Sequence, residues 1–152
     1  MLSTAERSAM IDKLEALPAL AVKAVEGMSE AELDTPYRDG GWTRRQVIHH
    51  IADSHLNAFV RIRLILTEEH PTLKPYDQDS WAELSDSMTG PVNASLQIIA
   101  GLHRRLVLLL RSLTDEQWTR TAYHPENGEM HVDDFLKLYS WHGEHHLAQI
   151  RA

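Results

Sequence analysis

Two histidines near the end of the chain have the spacing of a metal-chelating pair. His142 and His146 are four residues apart and continue the apolar stripe that Phe135, Leu138 and Tyr139 begin. Side chains four apart on a helix hold their Cβ atoms about 5–6 Å apart, so two imidazoles can reach one ion at the 2.0–2.1 Å length of a Zn–N bond. The pattern predicts that both rings face the core and converge.

A third candidate ligand stands in an earlier helical segment. His50 lies between Val47 and Ile51 on the face expected to be buried, whereas His49 is rotated by about 100° and is expected to face solvent or a neighbouring element. Three neutral nitrogen donors leave a coordination position open, as in catalytic zinc sites. An open position lets the ion activate water, lower the pKa of a thiol or polarise a carbonyl.

The alternative is that these are ordinary core histidines, each hydrogen-bonded to a neighbour. A His-x-x-x-His pair arises by chance in helices, and a single histidine on an apolar face is more often a core residue than a ligand. Burying two imidazoles in line with an apolar stripe costs free energy unless every ring nitrogen finds a partner. That cost favours the metal site.

Asn57 and Arg61 follow His50 by seven and eleven residues and are predicted to lie near the same face. They are candidates to line a substrate cavity, in which the planar guanidinium of Arg61 would hold a carboxylate. The alternative is a partly exposed helix flank where Arg61 pairs with an acidic neighbour.

The hydrophobic pattern predicts one all-α domain over residues 1–152, a four-helix bundle with long crossover connections. Pro18 is expected to kink or divide the first helix, and Thr43 with Gln46 forms a capping-box pattern at the start of the second. Asn127-Gly128 marks a tight turn or small hairpin. The four long helices are predicted over about Ser3–Met28, Thr43–Thr67, Pro91–Ser112 and Val132–Ala152.

Composition excludes several classes of protein. The 152 residues carry 15 Lys and Arg against 22 Asp and Glu, for a formal net charge of −7, which argues against a nucleic-acid partner. Without cysteine the chain holds no disulfide, Fe–S cluster or cysteine nucleophile. No apolar run approaches the roughly 18 residues that span a bilayer. We therefore expect a cytoplasmic protein with no membrane partner.

Three stretches carry a family resemblance: TPYRDGGWTRRQVIHHIADSH, KPYDQDSWAEL and YSWHGEHHLAQI. They closely resemble the YfiT branch of the DinB-like superfamily, and the resemblance covers nearly the whole chain. It implies a four-helix bundle that holds zinc or nickel through three histidines, which fall at His50, His142 and His146. It also implies a homodimeric cytoplasmic protein. Relatives are named as metal-dependent hydrolases, and the superfamily includes bacillithiol S-transferases and mycothiol-dependent isomerases.

Two features depart from the pattern of that family. Gln149 stands where relatives often carry a further histidine, so a fourth imidazole ligand is not expected. The chain also stops at Ala152, before the point where relatives end.

Three functions follow from the sequence and the resemblance. The leading hypothesis is a divalent-metal enzyme that transfers bacillithiol or a similar low-molecular-weight thiol to an electrophile. A hydrolase that activates water is the first alternative. A non-catalytic, metal-stabilised binding module of the stress response is the second. No glutamate stands as in a His-Glu-x-x-His helix, because Glu144 is rotated off the inward stripe, and this favours a thiol substrate.

Overall fold

A computed structural model of the protein describes residues 1–152 and shows a four-helix bundle, which confirms the predicted fold class. Each of the four long helices packs against two others, because the first and second long helices both lie between the third and the fourth. None of the helices has the length and apolarity needed to span a bilayer. The long helices are α1 (Thr4–Val25), α3 (Arg44–Thr67), α6 (Val92–Arg111) and α8 (Val132–Arg151).

Short elements occupy the connections. The hairpin predicted at Asn127-Gly128 is confirmed as an antiparallel pair in which His124 faces Gly128 across the turn. Two short helices lie around Trp81 and Leu84, both packed on α3. In chain order the short elements are α2 (Glu30–Leu33), α4 (Gln78–Ala82), α5 (Ser85–Thr89), α7 (Asp115–Trp118), β1 (Thr121–His124) and β2 (Gly128–His131).

The capping box at the start of α3 is confirmed in both directions. The Thr43 hydroxyl accepts a hydrogen bond from the Gln46 amide at 3.1 Å, and the Gln46 side-chain oxygen accepts from the Thr43 amide at 2.9 Å. Two orphan amides of the first turn are thereby satisfied. This cap fixes where α3 begins, and burial of its apolar face then determines which of its histidines point inward.

Two apolar clusters fill the bundle and meet at a polar level. Along α3, α6 and α8 the change from one cluster to the other takes place at His55, His103 and His142, and along α1 it takes place between Leu14 and Leu17. One cluster includes Ile11, Leu14, Ala58, Ile62, Leu106, Leu110, Phe135 and Leu136. The other includes Leu17, Ala21, Val47, Ile48, Ile51, Ile99, Leu147 and Ile150.

Pro18 was expected to kink or divide the first helix, and it does not divide it, because α1 is continuous from Thr4 to Val25. Proline has no amide hydrogen, so the carbonyl of Leu14, four residues earlier, cannot receive its usual helical hydrogen bond. Burial of one face of α1 against α6 and α8 keeps the helix intact despite that loss. The Leu14 carbonyl is left available to a partner outside its own helix.

Candidate metal centre

His50, on α3, meets His142 and His146, on α8, at the predicted convergence point. One ring nitrogen from each lies within 4.8 Å of the other two. Nε2 of His142 lies 3.2 Å from Nε2 of His50 and 3.1 Å from Nε2 of His146. Two donors bound at 2.0–2.1 Å on adjacent corners of a tetrahedron are about 3.3 Å apart. The two distances from Nε2 of His142 therefore match the spacing that a zinc-type ion needs.

Burial keeps these rings in the state that binds metal. It lowers the pKa of His50 to about 3 and that of His142 to about 2, and neighbouring His146 adds to both shifts. Burial likewise lowers the pKa of His146. All three imidazoles are neutral at physiological pH, so each has a lone pair to donate to an ion.

Gln149 orients one of the three rings. Its side-chain oxygen lies 2.7 Å from Nδ1 of His146, and its amide nitrogen donates to the hydroxyl of Tyr37 at 3.2 Å. An amide oxygen only accepts, so Nδ1 of His146 carries the proton and Nε2 presents a lone pair to the cluster. Gln149, at the position where relatives often carry a further histidine, thus contacts one of the three candidate ligands.

A cavity of about 680 Å³ opens beside His142. At its inner end the Ser54 hydroxyl lies 3.5 Å from Nε2 of His142, so the cavity reaches the cluster from one side. On another side the ring of Trp42 lies 4.8 Å from that of His50. The cavity is lined by Ser54, Arg61, Pro75, Tyr76, Asp77, Gln78, His124, Glu126, Asn127, Leu138, Tyr139 and His142.

Arg61 lines this cavity, as expected, and no acidic partner neutralises it. Only 9% of the residue is exposed, no carboxylate forms an ion pair with it, and its NH2 group donates to the carbonyl of Lys74 at 2.8 Å. The guanidinium also lies 6.0 Å above the ring of Tyr76. The alternative that Arg61 pairs with an acidic neighbour on a partly exposed helix flank is therefore wrong.

Asn57 does not line the cavity. Its side-chain amide donates to the backbone carbonyl of Asp53 at 2.8 Å, which holds it along its own helix. Helical phase placed Asn57 near the inward face, but this local bond turns its polar atoms away from the cavity. Of the two proposed substrate contacts, only Arg61 faces the space beside the metal ligands.

The histidines adjacent to the ligands lie outside the cluster. His49 is buried against a neighbouring element, with its ring nitrogens 2.6 Å from the Ser95 hydroxyl and 3.0 Å from the Gly90 carbonyl. His145 is exposed, on the flank of α8. Glu144 is exposed too and accepts a hydrogen bond from Lys13 at 3.1 Å, so it offers the ligands no base.

Two buried histidines were missed by the sequence reasoning. His55 is fully buried and His103 is 1% exposed. His103 lies in line with Ile99 and Leu106 on the apolar face of α6, which is the same signal that identified the ligands of α8. Applied to α6, that criterion would have found it. His55 carries the same signal, because it lies four residues after Ile51 and three before Ala58 on the buried face of α3.

Comparisons with known proteins agree with the architecture. A family model described as the DinB superfamily matches residues 13–150. The chain is 49% identical over 150 residues to the protein YfiT of Bacillus subtilis (strain 168), covering 98% of this chain and 84% of that protein. A homologue from Oceanobacillus iheyensis is 49% identical over 140 residues, covering 92% of this chain and 81% of its own. Both names provisionally class these relatives as metal-dependent hydrolases.

Two solved structures are similar to the bundle. That of YfiT, described as a four-helix bundle of unusual topology, superposes with a TM-score of 0.96 at 48% identity, covering 99% of this chain and 86% of that one. A second four-helix bundle protein gives a TM-score of 0.64 at 20% identity, covering 93% and 95% of the two chains. The first likeness extends to sequence and fold, and the second to the fold alone.

Proposed function

Because the chain belongs to the DinB superfamily, we propose that His50, His142 and His146 hold one divalent ion, zinc or nickel, in an enzyme that transfers a low-molecular-weight thiol such as bacillithiol to an electrophile. The observation that supports this most directly is that Nε2 of His142 lies 3.2 Å from that of His50 and 3.1 Å from that of His146, beside an open cavity. An ion held by three neutral imidazoles supplies positive charge that lowers the pKa of a thiol or of water.

The surroundings of the ligands favour a thiol over water as the nucleophile. No carboxylate is hydrogen-bonded to any of the three ligands, and Glu144 contacts Lys13 instead. A thiol has a pKa near 8.5, far below that of water, so it needs less help to lose its proton. The lack of a carboxylate bonded to the ligands themselves therefore favours a thiol substrate.

Arg61 supports a substrate that carries a negative charge. An arginine that is 9% exposed and has no carboxylate partner costs free energy unless an anion from outside pairs with its guanidinium. Its planar fork matches a carboxylate or phosphate in two parallel hydrogen bonds. We propose that Arg61 binds an anionic group of the substrate while the reacting atom lies near the three histidines.

Hydrolysis is the second candidate, because both reported relatives are named in the class of metal-dependent hydrolases. The same cavity and ligands would serve a reaction in which water replaces the thiol. The Ser54 hydroxyl, 3.5 Å from Nε2 of His142, would then be placed to hydrogen-bond the incoming water.

One experiment separates these candidates. Purified protein is stripped with a chelator, reloaded with Zn²⁺ or Ni²⁺, and assayed with bacillithiol plus a generic electrophile beside a panel of simple esters and amides. We expect loss of free thiol with no ester cleavage, and loss of that activity in His146→Ala. Ester or amide cleavage without thiol consumption would establish the hydrolase instead. If His146→Ala affects only the melting temperature and no substrate turns over, the protein is a binding module.

We also propose that the protein is cytoplasmic. A chain without cysteine suits a reducing compartment such as the cytoplasm. The resemblance to YfiT-like proteins suggests a homodimer, which light scattering of the purified protein tests directly.

A further inference from the structure

Three imidazoles form a continuous line of hydrogen bonds from the metal centre to α1. Nδ1 of His142 lies 3.2 Å from Nε2 of His55, and Nδ1 of His55 lies 2.8 Å from Nε2 of His103. Nδ1 of His103 lies 2.6 Å from the carbonyl oxygen of Leu14. The line thus crosses α8, α3, α6 and α1 at the level where the two apolar clusters meet.

The end of this line on α1 has a definite polarity. A carbonyl oxygen only accepts hydrogen bonds, so Nδ1 of His103 must carry a proton. The Leu14 carbonyl is free to accept because Pro18, four residues later, has no amide hydrogen to occupy it. The proline inside α1 therefore creates the acceptor on which the line of histidines ends.

The position of the proton on one ring determines its position on the next. A neutral imidazole carries one proton, so a proton on Nδ1 of His103 leaves Nε2 as an acceptor, and Nδ1 of His55 must donate to it. By the same step Nε2 of His55 accepts, and Nδ1 of His142 donates. We infer that His55 and His103 are positioning residues, a histidine relay that fixes His142 in the Nδ1–H tautomer with the lone pair of Nε2 facing the metal centre.

The relay explains the close approach of two ligand nitrogens. Nε2 of His142 and Nε2 of His146 are 3.1 Å apart. The relay holds the proton of His142 on Nδ1, and the Gln149 oxygen holds that of His146 on Nδ1. Neither Nε2 therefore has a hydrogen with which to bond the other. Two lone pairs that face each other at this distance repel, and a cation between them turns the repulsion into binding.

The relay also keeps negative charge away from the centre. Ligand histidines often donate to a carboxylate, which makes the ring a stronger donor and offsets part of the charge of the ion. Here every acceptor behind His142 is neutral, ending at the Leu14 carbonyl. An ion bound by these residues retains more of its positive charge to act on a substrate.

The inference rests on the metal centre proposed above, but its first test needs no metal. Protein labelled with ¹⁵N-histidine is examined without metal at neutral pH by long-range ¹H–¹⁵N correlation NMR, which distinguishes the Nδ1–H from the Nε2–H tautomer of each ring. We expect His142, His55 and His103 all in the Nδ1–H form, which free histidine disfavours. An Nε2–H form at His55 or His103 would overturn the relay, whether or not the protein binds an ion.

Variants of His103 test the consequence for metal binding. His103→Leu removes the acceptor for His55, and we expect mixed tautomers at His142 and a loss of Zn²⁺ affinity of about 10–100-fold by chelator competition. His103→Gln keeps an oxygen to accept from His55 and an amide hydrogen to donate to Leu14, so it should restore most of both properties.

His49→Leu is the matched control, because it removes an equally buried imidazole from α3 that bonds only Ser95 and Gly90. It should lower the melting temperature without changing the His142 tautomer. If His103→Leu leaves tautomer and affinity unchanged, or if His49→Leu alters them as strongly, the relay is refuted. If His103→Leu does not fold, the wild-type spectrum and His103→Gln decide the question alone.

Discussion

The side-chain oxygen of Gln149 lies 2.7 Å from Nδ1 of His146, one turn further along α8. The amide nitrogen of the same side chain donates to Tyr37, on the connection that precedes α3. One glutamine therefore fixes the tautomer of a ligand and ties α8 to the loop that leads into the helix of His50.

Removing this acceptor should weaken metal binding. In Gln149→Leu the His146 ring loses the partner that holds its proton on Nδ1, and we expect about a 10–100-fold loss of Zn²⁺ affinity. Gln149→Glu retains an acceptor and adds negative charge, so it should bind at least as tightly as the wild type. Competition with a chromophoric chelator measures all three proteins. Equal affinities would mean that packing alone orients His146.

Arg61→Met should raise KM selectively for substrates that carry a carboxylate. A hydrogen bond to a charged group contributes about 1.5–3 kcal/mol, which corresponds to roughly a 10–150-fold change in affinity. The methyl ester of the same substrate should be nearly unaffected, and Arg61→Lys should fall between because it keeps the charge but loses the fork. Kinetics on the acid and ester pair provide the measurement. An equal effect on both compounds would show that Arg61 supports only the fold.

The pair Arg7–Asp133 should make stability depend on pH in the acid range. Burial by itself would raise the pKa of Asp133, but hydrogen bonds from the Arg7 side chain and the Leu2 amide outweigh it and lower the pKa. A lowered pKa means that the stabilisation is fully present above the ordinary value of about 3.9 and is lost as pH falls through the lower folded value. The free-energy gap between wild type and Asp133→Asn should therefore narrow below about pH 4.

At neutral pH the difference in the free energy of unfolding between wild type and Asp133→Asn should be large. The Asp133 side chain is 2% exposed and that of Arg7 is 11% exposed, and removing one partner of a buried pair costs about 3–5 kcal/mol. The matched control is Glu144→Gln, in a pair with Lys13 whose side chains are both 51% exposed, where at most about 1 kcal/mol is expected. Denaturant unfolding at several pH values compares them. Similar losses of stability in Asp133→Asn and Glu144→Gln would contradict the conclusion that Arg7 and Asp133 form a strongly stabilising buried pair.

Local signals predicted the convergence of three histidines. Helical phase selected His142 and His146, and the apolar face that Val47 and Ile51 share selected His50. These predictions succeed because the buried face of a long amphipathic helix follows from its periodicity. The short helix α2 was missed although Ser29 and Glu32 form a capping box, since the four-residue helix has no periodic pattern to accompany it.

Features that depend on contacts between helices were not predictable in the same way. Arg44, in the first turn of α3, donates to the carbonyls of Ile150 at 2.9 Å and Ala152 at 2.6 Å and so neutralises the end of α8. Arg45 pairs with Asp34 and Glu30. The partners of Arg44 and Arg45 could not be assigned without knowing how the chain packs. The same holds for the hydrogen-bond partners of His55.

Pro18→Ala should stabilise the fold and weaken the metal centre at the same time. Alanine restores the amide that bonds the Leu14 carbonyl within α1, and an interior proline costs a helix up to about 3 kcal/mol relative to alanine. That amide then competes with Nδ1 of His103, which lies 2.6 Å from the same oxygen. We expect a higher Tm together with a loss of Zn²⁺ affinity smaller than that of His103→Leu.

The opposite signs of the two effects make this prediction specific. A proline with a purely structural role would give a variant whose metal affinity follows its stability or does not change. Pro91→Ala is the control, because Pro91 is the N-cap residue of α6 and contacts no part of the relay. Thermal unfolding and chelator competition on the same preparations measure both quantities. A higher Tm with unchanged affinity would show that the Leu14 carbonyl accepts both hydrogen bonds without weakening either.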